Sequence, residues 1–173
     1  AIREQYRGFN KGDDYNWFDP WDDTTSPNDE GGHGTHTTGT ILGANGIGVA
    51  PGAQWIGCVN LDRNLANPAL YLDCMQFMLA PFPHGGNPLK DGDPTKAAHV
   101  LNNSWGCPSI EGCDPNALLY AANNLRDAGI FVVVSTGNDG PNCETVESPL
   151  SLYDSVFSVG AIDILGNMAN FSS

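Results

Sequence analysis

Cations are scarce in this chain. Seven Lys and Arg stand against 20 Asp and Glu, a formal net charge of −13 over 173 residues. A nucleic-acid surface needs a basic footprint, so this balance argues against that class of partner. It disfavours an anionic membrane surface for the same reason. Long apolar runs are also missing, and none approaches the roughly 18 residues of a membrane span. No CxxC pair occurs among Cys58, Cys74, Cys107, Cys113 and Cys143, which argues against a zinc ribbon or a thioredoxin-type motif. There is no Gly-Lys-Ser/Thr for a phosphate loop. The opening Ala1-Ile2-Arg3-Glu4-Gln5 has neither an initiator Met nor a signal-peptide pattern, and reads as the start of a mature or excised fragment. The length is one domain's worth of chain, or a large part of one. The acidic balance suits a secreted protein, or carboxylates gathered around calcium.

Cys107 and Cys113 flank a loop holding Pro108 and Gly112, which suits a local disulfide. The odd count leaves at least one thiol free or paired outside these residues.

Strand and helix signals alternate. Residues 1–31 read as mostly irregular, with Trp17, Phe18 and Trp21 either lining a cleft edge or, the favoured reading, covering the core locally. Residues 34–42 suit a helix that ends at Gly43 in a left-handed stop. Its threonines and Gly39 give it poor intrinsic propensity, so packing must hold it. Residues 53–61 read as a strand. Residues 68–79 have helical apolar spacing, with Leu72, Met75, Met78 and Leu79 near one face. Residues 81–95 form a long loop, and 98–103 a strand. Asp114 as N-cap and Pro115 open a helix with a stripe of Ala117, Leu118, Ala121, Ala122 and Leu125, ended by Gly129 at C′. The apolar, Val-rich run 130–134 predicts a strand buried on both faces. Residues 154–160 give another. This alternation predicts a parallel, doubly wound α/β sheet. In such sheets chemistry gathers at the carboxyl ends of strands, here Asn102-Asn103-Ser104 and Ser135-Thr136-Gly137-Asn138.

His33 and His36 sit three apart, but a zincin helix needs a Glu after the first His and a spacing of four. Gly34 and Thr35 stand between them instead, so zinc is not expected. A lone His beside glycines is more often structural than catalytic. The Gly-rich stretch 43–48 follows a helix and leads to a strand, the reverse of a dinucleotide fingerprint, and reads as a turn. Asn138 is either a simple turn residue in Asn-Asp-Gly or an amide aimed at an oxyanion.

Gly32-His33-Gly34-Thr35-His36-Thr37-Thr38-Gly39, then Asn103-Ser104-Trp105-Gly106, then Ser135-Thr136-Gly137-Asn138 resemble, in this order, the subtilisin-like serine endopeptidases. Asn170-Phe171-Ser172-Ser173 resembles a family segment too. The resemblance implies a mostly parallel sheet with helices on both faces. The chain would be the central part of one peptidase domain spanning 1–173, incomplete at both ends. It implies His33 as general base and His36 as the second, non-catalytic histidine. Asn138 matches the oxyanion asparagine. Ser104, Trp105 and Gly106 match the strand that pairs with substrate, and Ser135, Thr136 and Gly137 the opposite pocket wall. The implied partner is a polypeptide, and the parent would be a secreted monomer able to carry a propeptide, with no required cofactor. Two departures matter. No Asp-Thr/Ser-Gly precedes His33, Asp22-Asp23-Thr24-Thr25 being the nearest, and no Gly-Thr-Ser-Met-Ala occurs. Ser104 is not that serine, because its motif is the substrate-binding one. The chain alone is therefore expected to be inactive. The family's calcium loop is shortened at 43–49. Calcium at Asp19, Asp22, Asp23, Asp29 or Glu30 competes with the favoured reading of a solvated acidic loop. A non-catalytic module with the same fold, and a nucleotide-binding domain, are the alternatives.

Overall fold

The computed structural model describes residues 14–63 and 65–173. They divide into two compact units, one of the described residues up to Leu65 with Gln76–Ala98 and one of Ala66–Met75 with His99–Ser173. Each holds its own parallel sheet.

In the first unit β1 (Trp17–Phe18) pairs in parallel with β2 (Gly57–Cys58), Trp17 opposite Gly57. Glycine is required there. A Cβ on Gly57 would stand 3.1 Å from the rings of both Trp17 and Trp55. Phe18 packs against Phe77 and Phe82 at centroid distances of 5.4 and 4.9 Å, so these aromatics build local core rather than a cleft edge. The strand predicted over 53–61 is confined to two residues.

Helix α1 (His33–Leu42) follows the expected span. Its ending differs: Gly43 has φ −54°, not the left-handed value anticipated. The turn after it folds back instead. Val49 and Ala50 N–H donate to the carbonyls of Thr40 and Ile41 at 3.2 and 2.7 Å, satisfying the last turn. Gly43 serves this close return, since a Cβ there would meet Ile47 at 2.8 Å.

Helix α2 (Pro68–Leu79) has the predicted bounds and divides its residues between the units. Asn67 Oδ1 accepts from Leu70 N–H at 3.2 Å, and Pro68 takes the first helical position. The buried stripe is Tyr71, Cys74, Met75 and Met78, spaced i, i+3, i+4, i+7, with Phe77 beside it. Leu72, placed on the apolar face by sequence, lies one residue off that stripe and is exposed.

The second unit is a three-stranded parallel sheet in the order β3 (Val100–Asn103), β4 (Phe131–Ser135), β5 (Phe157–Val159). Helix α3 (Leu119–Asp127) crosses between β3 and β4. Leu118, Ala122 and Leu125 make its buried stripe, and Gly129, at φ 89°, supplies the left-handed C′. The helix starts later than Asp114. That carboxylate accepts from Asn116 N–H at 2.7 Å, and Leu118 N–H donates to the Tyr153 hydroxyl at 3.2 Å. The first is the bond an N-cap makes, but the second diverts the Leu118 N–H from the helical bond it would make to Asp114 O.

β4 was expected to be buried on both faces. Instead Val132 and Val134 are buried while Phe131 and Ser135 are exposed. The same open face carries Val100, Phe157 and Val159, with the Phe131 and Phe157 rings 5.6 Å apart. No helix among the described residues is long and apolar enough to cross a membrane.

Candidate active site

His33 is the first residue of α1 and is exposed. The helix has no side-chain cap at Gly32, whose φ of 77° favours glycine. Asp29 supplies the cap from outside the turn. Its Oδ1 accepts from Gly32 N–H at 2.9 Å and its Oδ2 from Thr35 N–H at 2.7 Å. Burial pushes the Asp29 carboxyl up, but hydrogen bonds from Thr35, Gly32 and Gly31 outweigh it and hold the group below its usual value. Asp29 therefore clamps both sides of His33. Its place in an acidic stretch suggests calcium from sequence, whereas the structure gives it this capping role. An Asp three residues before the Gly32 cap, with donors free in the first turn, was the available signal. His36 is exposed one turn on, with its own N–H bonded to Gly32 O at 3.0 Å.

Three of the five proposed calcium carboxylates, Asp19, Asp29 and Glu30, have partners within the protein. Asp19 is buried, with Oδ1 accepting from Trp21 and Asp22 N–H and Oδ2 from Thr24 Oγ1 at 2.6 Å. Glu30 pairs with Arg63 at 3.1 Å. Among the described residues no group of three or more His, Cys, Asp or Glu is placed to hold a metal ion.

In the second unit the two loops singled out from sequence leave adjacent parallel strands. Asn103 lies opposite Val134, so 104–106 and 135–138 emerge side by side. Asn103 is buried and donates from Nδ2 to Val133 O at 3.2 Å, tying the two strand ends together. Asn102 Nδ2 donates to Ser104 Oγ at 3.0 Å. Among the described residues the N–H groups of Ser104 and Trp105 find no backbone partner, which leaves this edge open. The Trp105 ring lies flat on Tyr71, centroids 4.1 Å apart and planes 1° from parallel. Cys107 and Cys113 form the expected disulfide, with Cα atoms 5.7 Å apart. Cys143 is free and exposed.

Beyond β4, Thr136 N–H donates to Val159 O at 3.0 Å, extending the pairing to β5 by one residue. Gly137 then takes φ 113°, a conformation glycine alone tolerates well, and turns the chain into Asn138. The loop is held from its far side by residues 171–173. Gly140 N–H donates to Phe171 O at 3.1 Å, Asp139 N–H to Ser173 Oγ at 3.0 Å, and Ser173 N–H to Gly137 O at 3.3 Å. Ser172 is buried and its Oγ accepts from Ala161 N–H at 2.9 Å. Asn138 itself is exposed, and its amide has no partner among the described residues. The fixed backbone thus presents a free amide donor at a strand end. His33 belongs to the other unit from Ser104, Trp105, Gly106, Ser135, Thr136, Gly137 and Asn138.

Comparison with known proteins agrees with the motifs. A model of the subtilase family matches residues 2–173. Bacillopeptidase F of Bacillus subtilis (strain 168) is 36% identical over 189 residues, covering 99% of this chain and 12% of that protein. The thermostable alkaline protease of Halalkalibacterium halodurans is 32% identical over 152 residues, with 86% and 36% covered. Subtilisin Savinase of Lederbergia lenta is 31% identical over 152 residues, with 85% and 48% covered. The chain spans less than half the length of each of these relatives. With a family match along nearly its whole length and a parallel α/β architecture, the chain belongs to the subtilase family.

Proposed function

We propose that these 173 residues are the part of a secreted serine endopeptidase's catalytic domain that supplies the general base, the oxyanion amide and the substrate strand. The observation that carries this reading is the exit of β4. Asn138 has an unengaged amide on a backbone fixed by Gly137 and by residues 171–173. A preorganised donor of this kind acts on charge that develops only in the transition state. His33 takes the proton from a serine hydroxyl as it attacks the peptide carbonyl, and returns it to the leaving amine. The substrate runs as an added strand along Ser104-Trp105-Gly106. Ser135-Thr136-Gly137 faces it from the neighbouring strand end.

The 173 residues contain no Gly-Thr-Ser-Met-Ala and no Asp-Thr/Ser-Gly. We place the nucleophile and the aspartate in sequence outside them. The parent is a monomer that carries a propeptide, and its substrates are polypeptides. Alone, this segment has a base with nothing to activate.

The test is His33→Ala in the full-length parent, assayed by peptide hydrolysis and by labelling with a fluorophosphonate serine probe. The variant is expected to keep its fold and lose nearly all hydrolysis. Activity within about tenfold of the parent is too much for a lost triad base and sinks the assignment. A parent that binds peptide but neither cleaves it nor takes up the probe is a binding module. Stoichiometric labelling of the isolated 173-residue chain would place the serine inside it, with Ser104 and Ser135 the first to examine.

A further inference from the structure

Tyr71 has no part in the proteolytic step proposed above, yet it is fully buried and touches the substrate strand twice. Its ring covers one face of Trp105, with planes 1° from parallel. Its hydroxyl donates to Glu111 Oε2 at 2.7 Å, and Gly106 O lies 3.3 Å away, within reach of the same proton. Glu111 sits inside the loop closed by the Cys107–Cys113 disulfide. Gly106 is confined from another side, because a Cβ there would stand 2.9 Å from Ser148 Oγ. Segment 104–106 lies beyond the last ladder residue of β3, so the sheet does not fix it.

We propose that Tyr71 is a positioning residue for this strand: its aromatic stack on Trp105 and its hydroxyl bridge between Gly106 and Glu111 hold segment 104–106 extended before a peptide arrives. The inference rests on the reading of 104–106 as the substrate strand. An unpaired segment that is loose when free must be ordered on binding, and ordering weakens affinity. A clamp on both the side chain and the carbonyl removes that cost. Burial, then the hydrogen bond and charge of Glu111, raise the Tyr71 pKa well above the usual phenol value, so the hydroxyl stays a donor at any working pH. The ring contact and the bridge are separable. Tyr71→Phe keeps the stack and cuts the bridge. Tyr71→Leu removes both.

The experiment uses the full-length parent and two probes. One is a fluorescein-labelled tetra-alanine peptide whose last amide is reduced and cannot be cleaved, followed by anisotropy. The other is a pair of cleavable substrates, a tetrapeptide amide and a single-residue ester too short to run along the strand. Tyr71→Phe is expected to weaken peptide affinity by about threefold and Tyr71→Leu by at least tenfold. The ratio of peptide to ester kcat/KM falls in step. Exposed Tyr120→Phe, on α3, is the control and shifts neither. A Tyr71 that is merely structural lowers melting temperature and the titrated fraction of active enzyme, but leaves the affinity of the folded protein and the peptide-to-ester ratio unchanged. That result overturns the proposal. So does a Tyr71→Leu protein that no longer folds, if Tyr71→Phe is folded and binds as the parent does. The endopeptidase reading fails separately: a parent that binds the reduced peptide through Tyr71 and cleaves nothing keeps the clamp and loses the protease.

Discussion

Asp29→Ala tests whether the geometry around His33 depends on the carboxylate that holds the start of its helix. Helix α1 carries four threonines and two glycines in ten residues, so its own propensity is poor. It has no side-chain cap at Gly32, and Asp29 accepts from both Gly32 and Thr35 N–H. Loss of an N-terminal cap costs about 1 kcal/mol. Asp29 is exposed, so screening keeps the value at the middle of the range rather than the top. One kcal/mol lowers the melting temperature of a domain this size by about 2–4 °C. His33 is the first helical residue, so fraying of that turn removes the imidazole from its place. If the ordered turn is the competent one, about 1 kcal/mol lowers kcat/KM by about fivefold. The pH dependence has a definite sign. The folded-state pKa lies below the usual 3.8, so the contribution is fully present above that value and is lost as pH falls through the lower, folded one. The gap in melting temperature between parent and variant should be full at pH 8 and close at strongly acidic pH. Asp29→Asn keeps one acceptor oxygen and should fall between the two. Calorimetry and peptide hydrolysis at pH 8 check this in the full-length parent. An Asp29→Ala protein with unchanged melting temperature and unchanged kcat/KM refutes the cap. A lower melting temperature with full activity refutes its coupling to His33.

Two more substitutions address the β4 exit. Asn138→Ala should lower kcat more than it raises KM, by about 10²–10³ in kcat if it plays the part of the subtilisin oxyanion asparagine. A variant changed only in KM would mark Asn138 as an ordinary binding residue. Gly140→Ala would drive a Cβ into the Ser172 carbonyl, so residues 171–173 must shift and the Asn138 loop loses its support. Overpacking of this kind costs about 1–3 kcal/mol, read as a lower melting temperature together with reduced kcat; full activity would show that the loop holds without residues 171–173.

The elements most legible in the sequence are those whose ends are written locally. Asn67-Pro68 opens α2 and Gly129 closes α3 at the predicted places. The start of α3 was not legible, because Tyr153, 35 residues away, takes the Leu118 N–H. β4 misled for a similar reason. A continuous apolar run says only that residues are apolar, and the structure leaves Phe131 exposed. At the candidate site, strand polarity placed the loops 104–106 and 135–138 at strand ends, and they do leave adjacent parallel strands. Asp29 had a local signal, its position three residues before Gly32, but reads equally as a member of an acidic loop. Tyr71 has none: it lies off the apolar face read from sequence, and its contacts with Trp105, Gly106 and Glu111 are long-range.

The Tyr71 and Trp105 rings also have an optical consequence. Two aromatic chromophores held flat at 4.1 Å in a fixed, chiral setting couple their transitions, and near-ultraviolet circular dichroism reports rings fixed by tertiary packing. The segment after β3, which we propose as the substrate strand, therefore carries an intrinsic label. The difference spectrum between the parent and Trp105→Phe isolates it from Trp17, Trp21 and Trp55. If a peptide is laid along it as proposed, its arrival can be watched without a dye, by a signal that originates on that segment.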